Sequence, residues 1–483
     1  MKIKKIVFII PNTRWFGHKY WDIYPYSICL LASIVRDQYD VELIDLNMDN
    51  LDFEKTISRL RASAPDIVGI SLMAAEYKDC AHKTAALVKE ALPSTITIIG
   101  GVYATSQPKN VIADLNIDYA VLGEGEDILP KLLDAIVNKI RFPEFDGIAY
   151  RNKSGEFIIK PQKIFIDNLD ALPLPAFDLL PIEKYLKQTE LFSHVNARKV
   201  PFAKLLTSRG CPNRCTFCDL RSIQGNKFRP RSAKNVLAEI DWLVEHYQVK
   251  EIIFNDDNLI ANPKRAKEIF HGLIKRNYDL IWKSVNIATY ALNDSILDLM
   301  AQSGCYQVTL AIESGSDEVL KNLMQKPLKT SQVGPVVKKA KQLSMEVAGL
   351  FMLGMPGETW EQIRQTISFA EKLELDYVHF GIATPMPNTE LYKTAKEHDL
   401  LVNGFDVTNF SWSGYGRGVI KTDQFDPFDL EVLRVYEWDR INFATLEKKE
   451  KLARMMNVDL LSLEKWRKET RASIISRYTN KKG

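Results

Sequence analysis

Ser208-Arg209-Gly210-Cys211-Pro212-Asn213-Arg214-Cys215-Thr216-Phe217-Cys218 gathers three cysteines into one short stretch, just after an apolar run, Ala203 to Thr207, that reads as a strand. Thiolates are the soft ligands that iron–sulfur clusters take. A closed structural zinc site needs four ligands, and the nearest upstream histidine, His194, lies across a linker. Three thiolates on a four-iron core leave one iron open to an exogenous amine and carboxylate. The stretch therefore predicts a redox cluster with one vacant coordination position, set at the carboxyl end of a strand.

The pattern continues downstream. Apolar runs at Ala203 to Thr207, Glu251 to Asn255, Trp282 to Ala288, Tyr306 to Ile312, Val347 to Leu353 and Tyr377 to Ile382 alternate with amphipathic stretches such as Lys234 to His246 and Trp360 to Leu373. Six strands with intervening helices over residues 201–385 fit a partial parallel (β/α)6 barrel, whose active site collects at the carboxyl ends of its strands. Upstream, residues 1–140 repeat the rhythm with unalternated runs at Ile6 to Ile10, Val41 to Leu46, Ile67 to Leu72, Ile96 to Ile99 and Tyr119 to Leu122. Such runs are covered on both faces and predict a doubly wound parallel sheet. Its ligand would sit at the strands' carboxyl ends, which carry Asn12, Ser71, Gly100, Gly101, Thr105, Gly123 and Glu124. Glycine there either lets a large ligand approach the backbone or makes a tight turn. Residues 141–200, with Pro173, Pro175 and Pro181, read as a linker holding a small strand pair between Gly147 and Ile159. Residues 386–483 read as a helical extension, placed to close the barrel or shape the substrate pocket. Its aromatics, Trp412, Tyr415, Tyr436, Trp438, Phe443, Trp466 and Tyr478, read as core. The fold class is α/β: an N-terminal doubly wound sheet, a partial barrel and a helical C-terminal region.

Composition narrows the function. At 483 residues the chain needs two or three domains. A net charge of +3 with no strongly basic face argues against a nucleic-acid partner; the basic runs at Lys338 to Lys341 and Lys448 to Lys451 read as solvated helix faces. No run of about 18 apolar residues is present, so no membrane-spanning helix is expected. The basic-then-apolar start is ended by Pro11-Asn12 and reads as a strand, not a secretory signal. Cys29, Cys80 and Cys305 are scattered, which is no disulfide framework. A cytoplasmic enzyme is expected.

The CxxxCxxC spacing, with Phe217 before the third cysteine, resembles the radical S-adenosylmethionine (SAM) superfamily. The resemblance implies a [4Fe–4S] cluster on Cys211, Cys215 and Cys218, SAM at the open iron, and reductive cleavage to a 5′-deoxyadenosyl radical. It further implies that Phe217 packs near the adenine and that Asp256 or Asp257, in Phe254 to Asn258, accepts from the SAM amino group. Glu313 and Ser314, in Ala311 to Ser316, would hold the ribose hydroxyls or the methionyl group, and Arg231 the SAM carboxylate. Phe351 to Thr359 looks like the family's Gly-Pro-Gly turn. The alternative for each polar residue is a helix cap. A flavodoxin- or ferredoxin-type electron donor belongs to the same expectation.

Pro65 to Ser71, Gly100 to Thr105 and Asp118 to Glu126 resemble the cobalamin-binding domains that are fused to radical SAM domains. The likeness to the fused arrangement runs over residues 3–400. The Asp-x-His-x-x-Gly motif that supplies a lower axial histidine is absent, since His18 and His82 have other neighbours. The resemblance then implies a cobalt without histidine beneath it, faced by Asn12, Leu72 or Tyr103. A sheet that has kept the fold and lost cobalamin is the alternative. The implied reaction is methylation of a small-molecule intermediate at an unactivated carbon. Its rivals are cyclisation or rearrangement with the same cofactors, methylthiolation, and a non-catalytic cobalamin or iron–sulfur sensor. Methylthiolation would want three more upstream cysteines, and only Cys29 and Cys80 stand there. Tyr290, His379, Thr384 and Asn388 are expected at the barrel mouth.

Overall fold

The computed structural model describes residues 3–18, 24–72, 74–187, 195–406 and 416–481. The chain folds as two compact units that part at Tyr185–Leu186, with the short segment Ser222–Gly225 grouped with the first.

In the first unit, β1 (Lys5–Ile10), α1 (Tyr26–Val35), β2 (Asp40–Asp45), α2 (Phe53–Ser63), β3 (Ile67–Ser71), α3 (Lys78–Ala91), β4 (Ile96–Gly100), α4 (Val102–Ser106), α5 (Pro108–Ala113), β5 (Tyr119–Val121) and α6 (Gly125–Val137) alternate as expected. The sheet order is β2-β1-β3-β4-β5 with all neighbours parallel. The order reverses between β1 and β3, and a doubly wound sheet opens its ligand crevice at such a switch point. Ile6, Val7, Ile9, Val68 and Ile99 are essentially inaccessible, which is why these runs do not alternate in polarity.

The strand pair expected inside a linker is instead part of this sheet. β6 (Ile148–Arg151) and β7 (Phe157–Lys160) add antiparallel to β5, with Tyr119 opposite Tyr150. A three-residue β5 leaves an edge that needs covering, and β6 covers it with buried Ile148, Ala149 and Tyr150. Residues beyond residue 160 also stay with this unit through α7 (Ile182–Tyr185). The Tyr185 hydroxyl donates to Asp45 at 2.7 Å, Arg36 pairs with Asp178, and Phe177 is buried. The first unit therefore runs well past residue 140.

In the second unit, β8 (Phe202–Leu205) leads into β9 (Ser208–Arg209), the cysteine loop, α8 (Leu220–Gln224) and β10 (Arg229–Pro230), which pairs back on β9. There follow α9 (Ala233–Tyr247), β11 (Glu251–Phe254), α10 (Pro263–Arg276), β12 (Ile281–Ser284), β13 (Ile287–Ala288), α11 (Asp294–Gln302), β14 (Cys305–Glu313), α12 (Val333–Gln342), β15 (Glu346–Leu353), α13 (Trp360–Lys372) and β16 (Tyr377–Ile382). The strand order β8-β11-β12-β14-β15-β16 follows the chain and every pairing is parallel. These are the six barrel strands.

Beyond them lie α14 (Glu390–Glu397), α15 (Pro427–Asn442), α16 (Leu446–Met456) and α17 (Leu460–Lys481). β16 ends the sheet, and α15 closes its edge. The Asn442 amide accepts from Val378 N at 2.8 Å and donates to Val378 O at 2.9 Å, taking the place of a neighbouring strand. Trp438 packs edge-on to Phe443 and Trp466, so Trp438 and Phe443 are core with half-buried Trp466 against them, whereas Tyr436, also read as core, is exposed on α15. Trp412 and Tyr415 lie outside the described residues, as do His194 and the Tyr478 side chain.

Candidate functional site

The cysteine loop is pinned at Thr216. Its amide donates to Met324 O at 3.1 Å, its hydroxyl donates to Leu323 O at 2.7 Å, and its carbonyl accepts from Leu391 N at 2.9 Å. A turn from Cys218 N to Cys215 O (3.2 Å) brings the last two cysteines together. Asn258, one residue past the acidic pair at the end of β11, reaches toward Cys211 Sγ (3.7 Å) and lies 3.3 Å from the Tyr290 hydroxyl. Tyr290 in turn donates to Asn213 Oδ1 at 3.0 Å. Segments that follow β11, β13, β14 and β16 thus brace one loop.

Cys211 and Cys215 are half-buried and Cys218 is exposed. Protein nevertheless rings the last two closely, and burial pushes the Cys215 thiol up to about 11 and the Cys218 thiol up to about 12. Cys215 and Cys218 are thus reachable yet closely surrounded. Iron must displace their protons to bind, and Lys326, whose charge lowers the Cys215 value, assists. Among the described residues no three His, Cys, Asp or Glu side chains converge as the ligands of a single ion do. A four-iron cube, whose three thiolates bind three different irons, does not ask for that convergence. Three reachable thiols on one braced loop fit such a cluster with its fourth iron open.

The surrounding polar residues divide sharply. Asp256 is fully buried and accepts from Thr207 N at 3.1 Å, from Thr207 Oγ1 at 2.8 Å and from Ser208 Oγ. Arg265 beside it donates to Thr207 O and to Arg231 O, both at 2.6 Å. Asp256 therefore ties β11 to the start of the cysteine loop, where its oxygens are taken up by Thr207 and Ser208. Asp257 remains half-buried, pushed up to about 6 by burial and by the charges of Asp256 and Asp219. It is the reachable member of the pair.

Arg231, expected at the SAM carboxylate, is buried in an ion pair with Glu239 and donates to Asn235 Oδ1 at 2.6 Å. Asn235 and Glu239 lie four residues apart on α9, so one helix face claims the guanidinium. Ser314 is also buried, its hydroxyl 3.0 Å from Thr366 Oγ1 and accepting from Ser316 N at 3.1 Å. That is turn-holding geometry. Glu313 is different: it sits at φ +70° where the β14–β15 register shifts, 3.1 Å from Lys326 Nζ. Left-handed backbone at a non-glycine residue is costly and collects at working sites. Lys326 had no signal in the sequence, being 13 positions from its partner. Phe217 is half-buried beside the cysteines. In the Gly-Pro-Gly turn, Gly354 N and Met355 N donate to buried Glu358 at 2.7 and 3.0 Å, and burial pushes that carboxyl up to about 7.

In the first unit, Ser71, Gly100, Gly101, Thr105 and Gly123 form a half-exposed ledge along the ends of β3, β4 and β5. Thr105 stitches it, donating to Gly101 O at 2.9 Å and accepting from Gly123 N at 2.8 Å. Gly101 has φ +96°, and a Cβ there would meet Leu72 O at 2.5 Å. Its glycine is required by the fold itself. Buried Glu124 accepts from Ile166 N at 2.8 Å. A ledge of small residues and backbone at the carboxyl ends suits a broad planar cofactor such as a corrin.

The three residues expected to face cobalt are turned inward. Asn12 donates to Asn50 Oδ1 and Leu51 O, both at 3.1 Å, and Leu72 is buried. Tyr103 is buried with its hydroxyl 2.9 Å from His82 Nε2, while His82 Nδ1 lies 2.7 Å from Asp114. His82 belongs to this internal relay.

Comparison with known proteins matches each unit to a known domain. The Radical SAM superfamily domain matches residues 205–370, and the B12 binding domain matches residues 19–133. An uncharacterized methyltransferase of Pyrococcus horikoshii is 33% identical over 406 residues, 83% of this chain and 85% of its own. The chain belongs to the cobalamin-binding radical SAM enzymes. Its cofactors as a member of that family are a [4Fe–4S] cluster, SAM and cobalamin. The cytidylyl-2-hydroxyethylphosphonate methyltransferase of Streptomyces wedmorensis is 29% identical over 81% of this radical SAM enzyme and 82% of its own length. Among solved structures, the cobalamin-dependent SAM radical enzyme OxsB with aqua-cobalamin bound shares the fold, with a TM-score of 0.74 at 19% identity over 98% of this chain and 72% of that one. Among the described residues no helix is long and apolar enough to cross a membrane.

Proposed function

We propose that this enzyme methylates an unactivated carbon of a small organic substrate, with the cluster held by Cys211, Cys215 and Cys218. When bound, the cluster and SAM supply a 5′-deoxyadenosyl radical that abstracts hydrogen, and cobalamin supplies the methyl group. Thr216 and Asn258 hold the loop that carries the thiols. Lys326 and Glu313 set a paired charge beside Cys215, where a zwitterionic methionyl group would lie. Asp257 accepts from the SAM amino group, with Asp256 as the anchor behind it. In the first unit the Ser71–Gly101–Thr105–Gly123 ledge supports the corrin by backbone contact. A flavodoxin- or ferredoxin-type protein delivers electrons, and no nucleic acid takes part.

The observation that carries this reading is the braced, half-open thiol triad in a chain with two relatives that carry methyltransferase names. A test needs no substrate. Reduced enzyme given SAM should form about one S-adenosylhomocysteine per bound cobalamin, since SAM must first surrender its methyl group to cobalt. 5′-Deoxyadenosine without any S-adenosylhomocysteine would replace methylation by cyclisation or rearrangement.

A further inference from the structure

The side chain that meets Cys211 comes from the loop between β11 and α10. Asn258 is buried, its Nδ2 lies 3.7 Å from Cys211 Sγ, and the same nitrogen lies 3.3 Å from the Tyr290 hydroxyl. Its Oδ1 is buried without a partner, so both contacts of the amide are made from its NH2 end. A sulfur bound to iron carries no hydrogen and only accepts. The end of the amide that faces it is then the donor, as placed. Turning the amide over would set its oxygen against the sulfur, lone pair to lone pair.

Tyr290 aligns this donor. One amide hydrogen serves the sulfur and the other the tyrosine oxygen, which leaves the Tyr290 hydroxyl to donate onward to Asn213 Oδ1 at 3.0 Å. Asn213 stands two residues after Cys211, so the network leaves the cysteine loop and returns to it. Both supports are fixed in the fold. Asn258 O accepts from Ala261 N at 3.2 Å, and Leu259 and Ile260 between them are fully buried. Thr289, next to Tyr290, is buried with its hydroxyl donating to Ala311 O at 3.3 Å. At Cys218 a hydrogen bond comes instead from the main chain, from Leu220 N. A main-chain donor is set by the fold, whereas the Asn258 donor depends on one side chain.

Hydrogen bonds to the ligand sulfurs are among the terms that set the reduction potential of an iron–sulfur cluster. An external one-electron reductant gives the bound cluster one electron, and the added negative charge falls partly on the ligand sulfurs. An N–H dipole aimed at Cys211 Sγ stabilises the reduced state more than the oxidised one. We infer that Asn258 is a positioning residue for this reduction: its amide, aligned by Tyr290, raises the potential of the cluster through an N–H···S hydrogen bond to Cys211. This rests on the assignment of the cluster to Cys211, Cys215 and Cys218.

The test is a redox titration of full-length enzyme reconstituted with cluster and cobalamin, followed by the electron paramagnetic resonance of the reduced cluster. Asn258→Leu replaces the amide with an apolar group of similar size, and Tyr290→Phe removes only the aligning oxygen. We expect Asn258→Leu to lower the reduction equilibrium constant about tenfold, a midpoint about 59 mV more negative, with iron and cobalt content unchanged. Tyr290→Phe should move the midpoint the same way by less. A side chain that only braced the loop would cost iron or thermal stability and leave the midpoint in place. Asn258→Leu with full iron and an unmoved or more positive midpoint would therefore overturn the assignment. If that variant loads less iron, Tyr290→Phe decides in its place: a lowered midpoint supports the bond, and no shift, or iron lost from both variants, overturns it. A wild-type enzyme without a four-iron signal would strike at the cluster reading itself, whereas an unmoved midpoint beside a normal wild-type signal strikes only at Asn258.

Discussion

Replacing Asp256 with alanine separates an anchor from a SAM ligand. The carboxylate is fully buried and takes three hydrogen bonds, from Thr207 N, Thr207 Oγ1 and Ser208 Oγ, beside the Arg265 charge. Each bond to a charged acceptor is worth about 1.5–3 kcal/mol. They share one acceptor and do not add. Breaking a buried charge cluster from one side costs about 3–5 kcal/mol, and that figure bounds the whole change. The second unit should therefore melt roughly 5–15 °C lower. Calorimetric melting would be read alongside SAM affinity of the folded, reconstituted variant, measured at low temperature. Because Asp256 points at the loop start, SAM affinity should stay within about threefold of wild type, well under the 1.4 kcal/mol of a tenfold change. A loss of SAM affinity beyond tenfold with unchanged melting would show that the carboxylate contacts SAM after all.

Three further outcomes are expected. Glu358 has a folded-state value near 7 against an ordinary 4.5, so its ionisation opposes folding; stability is highest below pH 4.5 and falls by on the order of 3 kcal/mol as pH rises through 7. Glu358→Gln, whose oxygen can still accept from Gly354 N and Met355 N, should flatten that dependence in melts between pH 5 and 8, and an unchanged slope would reject the assignment. Asn442→Leu strands the Val378 amide and carbonyl at the barrel edge and should cost about 2–4 kcal/mol in denaturant melts; a neutral result would show that α15 does not substitute for a strand. Gly101→Ala forces alanine into an essentially glycine-only backbone conformation (φ +96°, ψ −168°) against Leu72 O, a penalty of about 1–3 kcal/mol before the clash, and should lower bound cobalt while leaving iron unchanged.

Much of the fold was legible because its signals are local. The cysteine spacing, the unalternated strands and helices such as α9 and α13 each fall within a single window of sequence. The hairpin of β6 and β7 was legible as a pair, but its place in the sheet depended on the short β5 edge. Site roles were less legible because burial and partners come from distant segments. Asp256 meets Thr207 across 49 positions and Ser314 meets Thr366 across 52. Arg231 and Asn12 were read as ligands because both stand at strand or helix ends. What claims them is Glu239 and Asn235 on the next helix, and Asn50 after β2.

The most direct measurement is the electron paramagnetic resonance spectrum of the anaerobically reconstituted, reduced enzyme, recorded before and after SAM is added. A reduced four-iron signal that shifts on SAM addition, and that is missing in Cys215→Ala while bound cobalt persists, is the expected result. A cluster signal that ignores SAM, or one that survives in Cys215→Ala, would contradict an open iron held by Cys211, Cys215 and Cys218.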